Sequence, residues 1–198
     1  MTQTDYLVKR LFDLLLSTIG TIICGWIILI AWLIASIDTK GNGFFLQTRV
    51  GQYGKLFTVI KIKTMGNEQD SNSTVTTSND LRITKFGKIF RRSKIDELPQ
   101  LVNIFLGDMS FVGPRPDVPG YADLLKGDDR IVLSLKPGIT GPATLKYRDE
   151  EALLASKKNP EKYNHEVIYP DKVKINKKYI INYSLLNDVH YIFKTIFH

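Results

Sequence analysis

The sequence has few of the residues that form disulfides and metal clusters. Cys24 is its only cysteine, which excludes an intrachain disulfide and a cysteine-based zinc site. The three histidines are confined to the C-terminal part, which disfavours a histidine-rich metal cluster: His165, His190 and His198. Charge is also missing from one long stretch, because no charged residue occurs between Leu14 and Ile37. This uncharged stretch is the strongest compositional signal in the chain.

The uncharged stretch is long enough to enter a bilayer. As a helix its 24 residues measure about 36 Å, against about 30 Å for a hydrocarbon core. The apolar part of a signal peptide is shorter, at about 7–15 residues. The sequence therefore predicts a membrane anchor helix at 1–38, followed by a separate domain at 39–198.

Lysine or arginine residues flank the uncharged stretch on both sides, so the positive-inside rule selects no orientation. Two topologies remain open. A re-entrant helix would bend at Gly20 or Gly25 and return to the cytoplasmic side. A straight helix would span the membrane.

The remaining composition indicates a folded, basic protein. The chain has 198 residues, of which 27 are Lys or Arg and 20 are Asp or Glu, giving a net charge of +7. A hydrophobic content of 43% excludes disorder of the whole chain. The positive charge favours an anionic partner, which is a nucleic acid, a membrane surface or a phosphorylated small molecule.

Residue patterns after the anchor predict helices and one hairpin. Strands at 44–50 and 56–63 are joined by a glycine-containing turn. Lys61 and Lys63 share a face of the second strand, where they either bind phosphates or are simply solvated. The other predicted elements are a polar loop at 66–80, a basic amphipathic helix at 83–92, a helix from Asp96 to Gly107 with Pro99 in its first turn, irregular loops at 107–116 and 136–142, a helix at 149–158 and a helical tail at 172–197.

Asp96 and Glu97 form the most suggestive pair of side chains. An ionised aspartate at a helix N-terminus can attack phosphorus, and the same helix end attracts phosphate groups. An acidic residue is also a common helix cap, and local sequence alone favours that interpretation.

Nearby cations favour phosphate chemistry. Arg91 precedes the acidic pair, and Arg115 lies between two prolines in a stiff loop. Arginine binds phosphate oxygens in a bidentate manner, and a rigid loop lowers the entropy cost of doing so. A divalent ion such as Mg²⁺ suits a carboxylate that faces a diphosphate.

A set of motifs carries a resemblance to a known family. In order, these are Lys-Arg-Leu-Phe-Asp (9–13), Ile-Lys-Thr-Met (62–65), Thr-Lys-Phe-Gly-Lys-Ile-Phe-Arg (84–91), Asp-Glu-Leu-Pro-Gln-Leu-Val-Asn (96–103), Gly-Asp-Met-Ser-Phe-Val-Gly-Pro-Arg-Pro (107–116) and Lys-Pro-Gly-Ile-Thr-Gly (136–141). The set closely resembles the bacterial sugar transferases, or monotopic polyprenyl-phosphate phosphoglycosyl transferases, of the small single-domain type. The match covers nearly the whole chain up to about residue 148.

The resemblance implies an enzyme that transfers a sugar 1-phosphate from a UDP-sugar to polyprenyl (undecaprenyl) phosphate, releases UMP and so initiates surface glycan assembly. It implies an α+β fold, mostly helical with a short β-hairpin, a membrane-inserted re-entrant helix and interfacial amphipathic helices. The expected location is the bacterial inner membrane, with the catalytic domain on the cytoplasmic face. Membrane lipid is an expected partner and nucleic acid is not, while a second copy of the chain and downstream glycosyltransferases are further candidates.

The resemblance also implies residue roles. Asp96 matches the nucleophile, which forms a covalent phosphosugar intermediate with Mg²⁺ assistance and is the expected metal-binding residue. Glu97 matches a residue that supports metal binding or proton handling. Arg91 and Arg115 match phosphate ligands, and Lys61 and Lys63 occupy the family's basic strand positions. The Ser-Pro break of the family's membrane helix is replaced here by Cys24-Gly25-Trp26.

Short members of the family tend to use N-acetylated amino sugars, so such a donor is expected, with a UDP-hexose as the alternative. Two other functions remain open: a catalytically inactive membrane scaffold, and a module that binds anionic lipid. The retained Asp96, Glu97 and Arg115 argue against the scaffold.

Overall fold

The computed structural model describes residues 1–66, 80 and 82–197. It confirms the predicted fold class, because the described part of the chain is mostly helical, contains an antiparallel hairpin and begins with a long apolar helix. Nearly all of the predicted polar loop at 66–80 lies outside the described residues. The helices are α1 Gln3–Asp38, α2 Lys85–Ser93, α3 Gln100–Leu106, α4 Pro142–Lys146, α5 Glu150–Ala155, α6 Pro160–Tyr163, α7 Tyr169–Ile181 and α8 Leu185–Phe197; the strands are β1 Phe44–Val50, β2 Leu56–Ile62, β3 Ser110–Val112 and β4 Gly138–Thr140.

Helix α1 is long and apolar enough to cross a membrane, and it continues without interruption through Gly20 and Gly25. Thr2 caps its first turn, accepting a hydrogen bond from the Asp5 N–H at 3.2 Å. Most of its large apolar side chains are exposed, whereas two groups of small or polar side chains, each spaced by four residues, are buried against the rest of the protein: Lys9, Asp13 and Ser17 near the N-terminus, and Ala31 and Ala35 near the C-terminus. Helix α1 therefore turns one narrow face inward along its length.

That inward face contacts the rest of the protein near both ends of α1. Near the N-terminus, Asp13 accepts hydrogen bonds at 3.1 Å from the Ser110 hydroxyl and the Phe111 N–H. Near the C-terminus, Ala31 and Ala35 pack with Ile62 and Phe90. Both halves of α1 thus share buried contacts with the domain. The division at residue 38 into anchor and catalytic domain stays a prediction.

The predicted hairpin is confirmed. Strands β1 and β2 pair antiparallel from Phe44 opposite Ile62 to Val50 opposite Leu56. The connection includes a short 3₁₀ turn, Gln52–Gly54, in which Tyr53 has a φ of 58°. This hairpin carries Lys61 on β2 and Arg49 near the end of β1.

The sequence predicted irregular loops at 107–116 and 136–142. In the structure these segments are partly regular. Each contains a short strand, and β3 and β4 pair in parallel, with Ser110 opposite Gly138 and Val112 opposite Thr140. A Cβ on Gly138 would collide with the backbone nitrogen of Gly113. Glycine is needed because the two backbones touch there, which local patterning does not reveal.

The predicted helical tail is confirmed as helix, and it is divided into two: α7 ends at Ile181 and α8 begins at Leu185. Asp188 of α8 is fully buried and accepts hydrogen bonds from the Lys9 ammonium at 2.5 Å and the Tyr179 hydroxyl at 2.6 Å. This buried ion pair joins the first and last helices of the chain.

Candidate active site

Asp96 and Glu97 lie in a short 3₁₀ turn, Ile95–Glu97, between α2 and α3. The chain reverses sharply at Lys94, whose φ of 59° is left-handed and which also ends α2. The reversal directs both acidic residues inward, leaving Asp96 only 8% exposed and Glu97 7% exposed. Two adjacent buried carboxyl groups are costly unless each is paired or protonated, so their environments are informative.

Asp96 does not act as the predicted helix cap. Helix α3 begins at Gln100, with Pro99 immediately before it, so Asp96 stands outside the helix. Its Oδ1 atom is buried and has no hydrogen-bond partner among the described residues. The physical reason is the left-handed Lys94, which places a separate 3₁₀ turn where the sequence predicted the first turn of α3. An unpartnered buried carboxylate oxygen is suited to a ligand that the protein itself does not supply.

Glu97 is held by two cations that come from distant parts of the chain. Its Oε1 accepts a hydrogen bond from Arg115 Nη2 at 2.5 Å and another from Lys61 Nζ at 3.0 Å. Burial alone would raise the pKa of Glu97, but the charges of Arg115 and Lys61 outweigh it and hold the pKa well below its usual range. Glu97 is therefore ionised at neutral pH and brings Arg115 and Lys61 together.

Asp96 experiences the opposite effect. Burial, reinforced by the negative charge of Glu97, raises the pKa of Asp96 to about 6, although Lys61, Lys94 and Arg91 partly oppose the rise. Neighbouring carboxyl groups whose pKa values are driven apart are a recurring feature of acid–base and nucleophilic sites. At pH 7 Asp96 is mostly an anion whose charge is poorly compensated.

Arg91 and Lys63, also expected near phosphate, have other neighbours in this structure. Arg91 donates from Nη2 to Glu151 of α5, and its Nη1 lies 3.5 Å from the Thr64 hydroxyl. An incoming anion would therefore compete with Glu151 for Arg91. Lys63 follows the end of β2, and its ammonium group lies beside Gly41, in the segment between α1 and β1. The structure thus unites Asp96, Glu97, Lys61 and Arg115, and it puts Arg91 close enough to influence Asp96.

Two charged residues beside this site were missed by sequence reasoning. Arg49 of β1 donates from Nη1 to the carbonyl of Pro116 at 3.1 Å. Asp117 follows the Pro-Arg-Pro loop, and burial raises its pKa to about 6. For Asp117 a signal was present, because a charged residue directly after a rigid loop has a restricted position. For Arg49 there was none, because its partner is 67 residues away.

The side chains of the site could supply one carboxylate to a magnesium ion whose other ligands are phosphates and water. No group of three or more His, Cys, Asp or Glu side chains suitable for a metal occurs in the described part of the chain. Mg²⁺ typically uses one or two carboxylates together with substrate phosphates and water. The unpartnered Oδ1 of Asp96 supplies one such carboxylate, whereas Glu97 already binds two cations.

Comparison with known proteins identifies the family. The sequence profile of the bacterial sugar transferases matches residues 4–198. The chain belongs to the bacterial sugar transferase family.

Similar family members include proteins of different length. The chain is 39% identical over 72% of its length to the uncharacterized sugar transferase EpsL of Bacillus subtilis, of which it covers 70%. It is 33% identical over its full length to the UDP-glucose:undecaprenyl-phosphate glucose-1-phosphate transferase of Escherichia coli, but covers 41% of that protein. It is 34% identical over 61% of its length to a putative undecaprenyl-phosphate N-acetylgalactosaminyl 1-phosphate transferase of Bacillus subtilis, of which it covers 68%. The sugars in these names differ, so family membership does not by itself select a donor.

Proposed function

We propose that the protein is a phosphoglycosyl transferase that moves a sugar 1-phosphate from a UDP-sugar to polyprenyl phosphate and releases UMP. The observation that carries the proposal is the buried Asp96, with an unpartnered oxygen beside Glu97, Lys61 and Arg115. The names of the relatives support the substrate class. In bacteria this reaction would begin the assembly of a surface glycan.

Two displacements at phosphorus account for the reaction. In the first, a carboxylate oxygen of Asp96 attacks the phosphorus that bears the sugar, and the P–O bond to UMP breaks with its electron pair leaving on UMP. In the second, an oxygen of polyprenyl phosphate attacks the same phosphorus and returns the carboxylate of Asp96. One phosphoanhydride is made for each one broken, so no other energy source is required. The covalent stage lets a water-soluble donor and a lipid acceptor use one site in turn.

The cations of the site would stabilise the charge on the transferring phosphoryl group. Arg115 is 38% exposed along its side chain and can contact a phosphate while it still binds Glu97. Lys61 keeps Glu97 ionised from the other side, and Arg91 can exchange Glu151 for a substrate phosphate. Asp96 would hold Mg²⁺, which supplies charge neutralisation of the diphosphate when bound.

The test of this function is UMP release by the purified protein in nanodiscs, with Mg²⁺, undecaprenyl phosphate and a panel of UDP-sugars. We expect release from one donor class, and we propose an N-acetylated amino sugar; the hexose donors named for other relatives are the alternative. Activity with UDP-glucose or UDP-galactose alone would keep the reaction and reject the proposed donor. Absence of UMP release with every donor, from folded protein, would favour the inactive scaffold or the lipid-binding module.

We further propose that α1 is re-entrant in the inner membrane and that the catalytic domain faces the cytoplasm. Buried contacts between the domain and both halves of α1 support this, because a helix that crossed the bilayer would carry one of its ends away from the domain. Helix α1 is unbroken in this structure, so a re-entrant path requires a bend at Gly20 or Gly25 that is not present here. A cysteine introduced at Gln3 should react with an impermeant thiol reagent in opened cells and not in intact ones, with Cys24 replaced by serine in both samples. Labelling in intact cells would establish a spanning helix instead.

A further inference from the structure

The end of strand β1 binds the loop that carries Arg115. Arg49 Nη1 donates to the carbonyl oxygen of Pro116 at 3.1 Å, and the N–H of Val50 donates to the carbonyl oxygen of Asp117 at 2.9 Å. The two carbonyl groups that directly follow Arg115 are therefore both held by consecutive residues of β1. This fixes the backbone on one side of Arg115.

The same hairpin supplies the other cation of the site. Lys61 is on β2, which pairs with β1 along its whole length, and Lys61 and Arg115 bind the same oxygen of Glu97. Lys61 reaches Glu97 directly from the hairpin, whereas Arg115 is attached to the hairpin through Arg49. One rigid β-ribbon thus sets the distance between the two cations.

Arg49 is costly to the fold in this position. Burial, together with the nearby positive charge of Arg115, lowers the pKa of Arg49. Its Nη2 donates to Gln47 Oε1 at 2.5 Å, but its Nε is buried and has no hydrogen-bond partner among the described residues. The charges of Asp117 and Glu97 partly compensate this half-buried guanidinium, but its unused donor and the neighbouring guanidinium of Arg115 oppose them. Its contact with the Pro116 carbonyl is the feature that connects it to the site.

We propose that Arg49 is a positioning residue for Arg115. It holds the backbone after Arg115 so that the guanidinium reaches Glu97 and, on the proposed function, the donor phosphates. Arg49 acts through Arg115 and not through its own contact with substrate. The expected effect of Arg49 on UMP release rests on the proposed function. The expected effect on the backbone after Arg115 does not, because it can be measured without turnover.

The structural test is hydrogen exchange followed by mass spectrometry on the full-length protein in nanodiscs. We expect R49M to accelerate exchange in peptides covering 113–118, with R49K partly restoring protection because lysine can still donate to the Pro116 carbonyl. The matched control is R130M, which removes an exposed arginine whose Nη2 lies near Gly54 in the turn of the same hairpin. Unchanged exchange at 113–118 in R49M would overturn the proposal whether or not the protein proves to be a transferase.

The kinetic test is a double-mutant cycle with R115M. We expect R49M to lower kcat/KM for UMP release by about 10- to 100-fold relative to the wild type. In the R115M background, adding R49M should lower kcat/KM by less than about 3-fold. A general loss of structure would lower activity in both backgrounds and would also lower the melting temperature. Equal losses in the two backgrounds would mean that Arg49 acts independently of Arg115, and would overturn the proposal.

Discussion

Replacing Asp96 by asparagine should abolish UMP release while making the protein more stable. Asparagine lacks the nucleophilic carboxylate, so we expect turnover to fall by about four orders of magnitude or more. The substitution also removes a buried negative charge, and Oδ1 of Asp96 has no hydrogen-bond partner among the described residues to stabilise that charge. A pKa difference of one is worth about 1.4 kcal/mol, so a pKa near 6 for Asp96 predicts a gain of about 1 to 3 kcal/mol in unfolding free energy at pH 7.5.

The pH dependence of that gain has a definite sign. Because the pKa of Asp96 is raised on folding, the native state binds this proton more tightly than the unfolded chain does. The wild-type protein therefore loses stability from this group as the pH rises from about 4 through about 6, with no further loss once both states are ionised, and D96N shows no such loss. The stability gain of D96N should be absent below about pH 4 and fully developed above about pH 7. Asp117, whose pKa is also about 6, titrates in both proteins and cancels.

Thermal unfolding of both proteins in the same detergent, across this pH range, measures the effect. D128N is the matched control because Asp128 is exposed and outside the site, and we expect it to change neither activity nor stability appreciably. Retained UMP release in D96N would remove Asp96 as the nucleophile. An unchanged melting temperature at pH 7.5 would instead show that the charge of Asp96 is compensated in solution.

Replacing Arg115 by methionine should have the second-largest effect, a fall in kcat/KM of about 100- to 1000-fold. Loss of one preorganised donor to a developing oxyanion has this magnitude in other enzymes. Glu97 would keep only Lys61, so its pKa should rise towards the usual range for a glutamate. Kinetics of UMP release with varied UDP-sugar measure the loss.

The conservative variant R115K separates charge from geometry. Lysine keeps the positive charge but cannot bind Glu97 and a phosphate through one planar group, so we expect it to recover only part of the lost activity. R130M serves again as the control for removal of an arginine. A kcat/KM for R115M within about threefold of the wild type would exclude Arg115 from the phosphate site.

Local patterning predicts the regular elements of this chain and fails where distant segments define the structure. Alternation over 44–50 and 56–63 was sufficient for the hairpin, because each strand carries its own periodicity. The β3–β4 pair was not predictable, because its glycines are required by a contact between segments about 25 residues apart. The split of the tail into α7 and α8 was also missed, although helix as such was correctly predicted there.

The candidate site shows the same division. Sequence reasoning selected Asp96, Glu97, Lys61 and Arg115, and the structure brings these four side chains together. It did not reveal that Oδ1 of Asp96 has no hydrogen-bond partner among the described residues, because this depends on the left-handed backbone at Lys94. Nor did it reveal that Arg91 pairs with Glu151 or that Arg49 binds Pro116, because both partners are at least 60 residues away.

On the proposed function, helix α1 also determines the height of the Asp96 carboxylate relative to the lipid. It packs against Ile62 at the end of β2, Phe90 of α2 and Leu101 of α3, and these elements flank the turn that carries Asp96. Since these contacts are buried and run along the helix, α1 cannot slide or rotate without breaking the core of the domain. The depth of α1 in a bilayer therefore determines the height of Asp96 above that bilayer, and folding fixes the relation between the two.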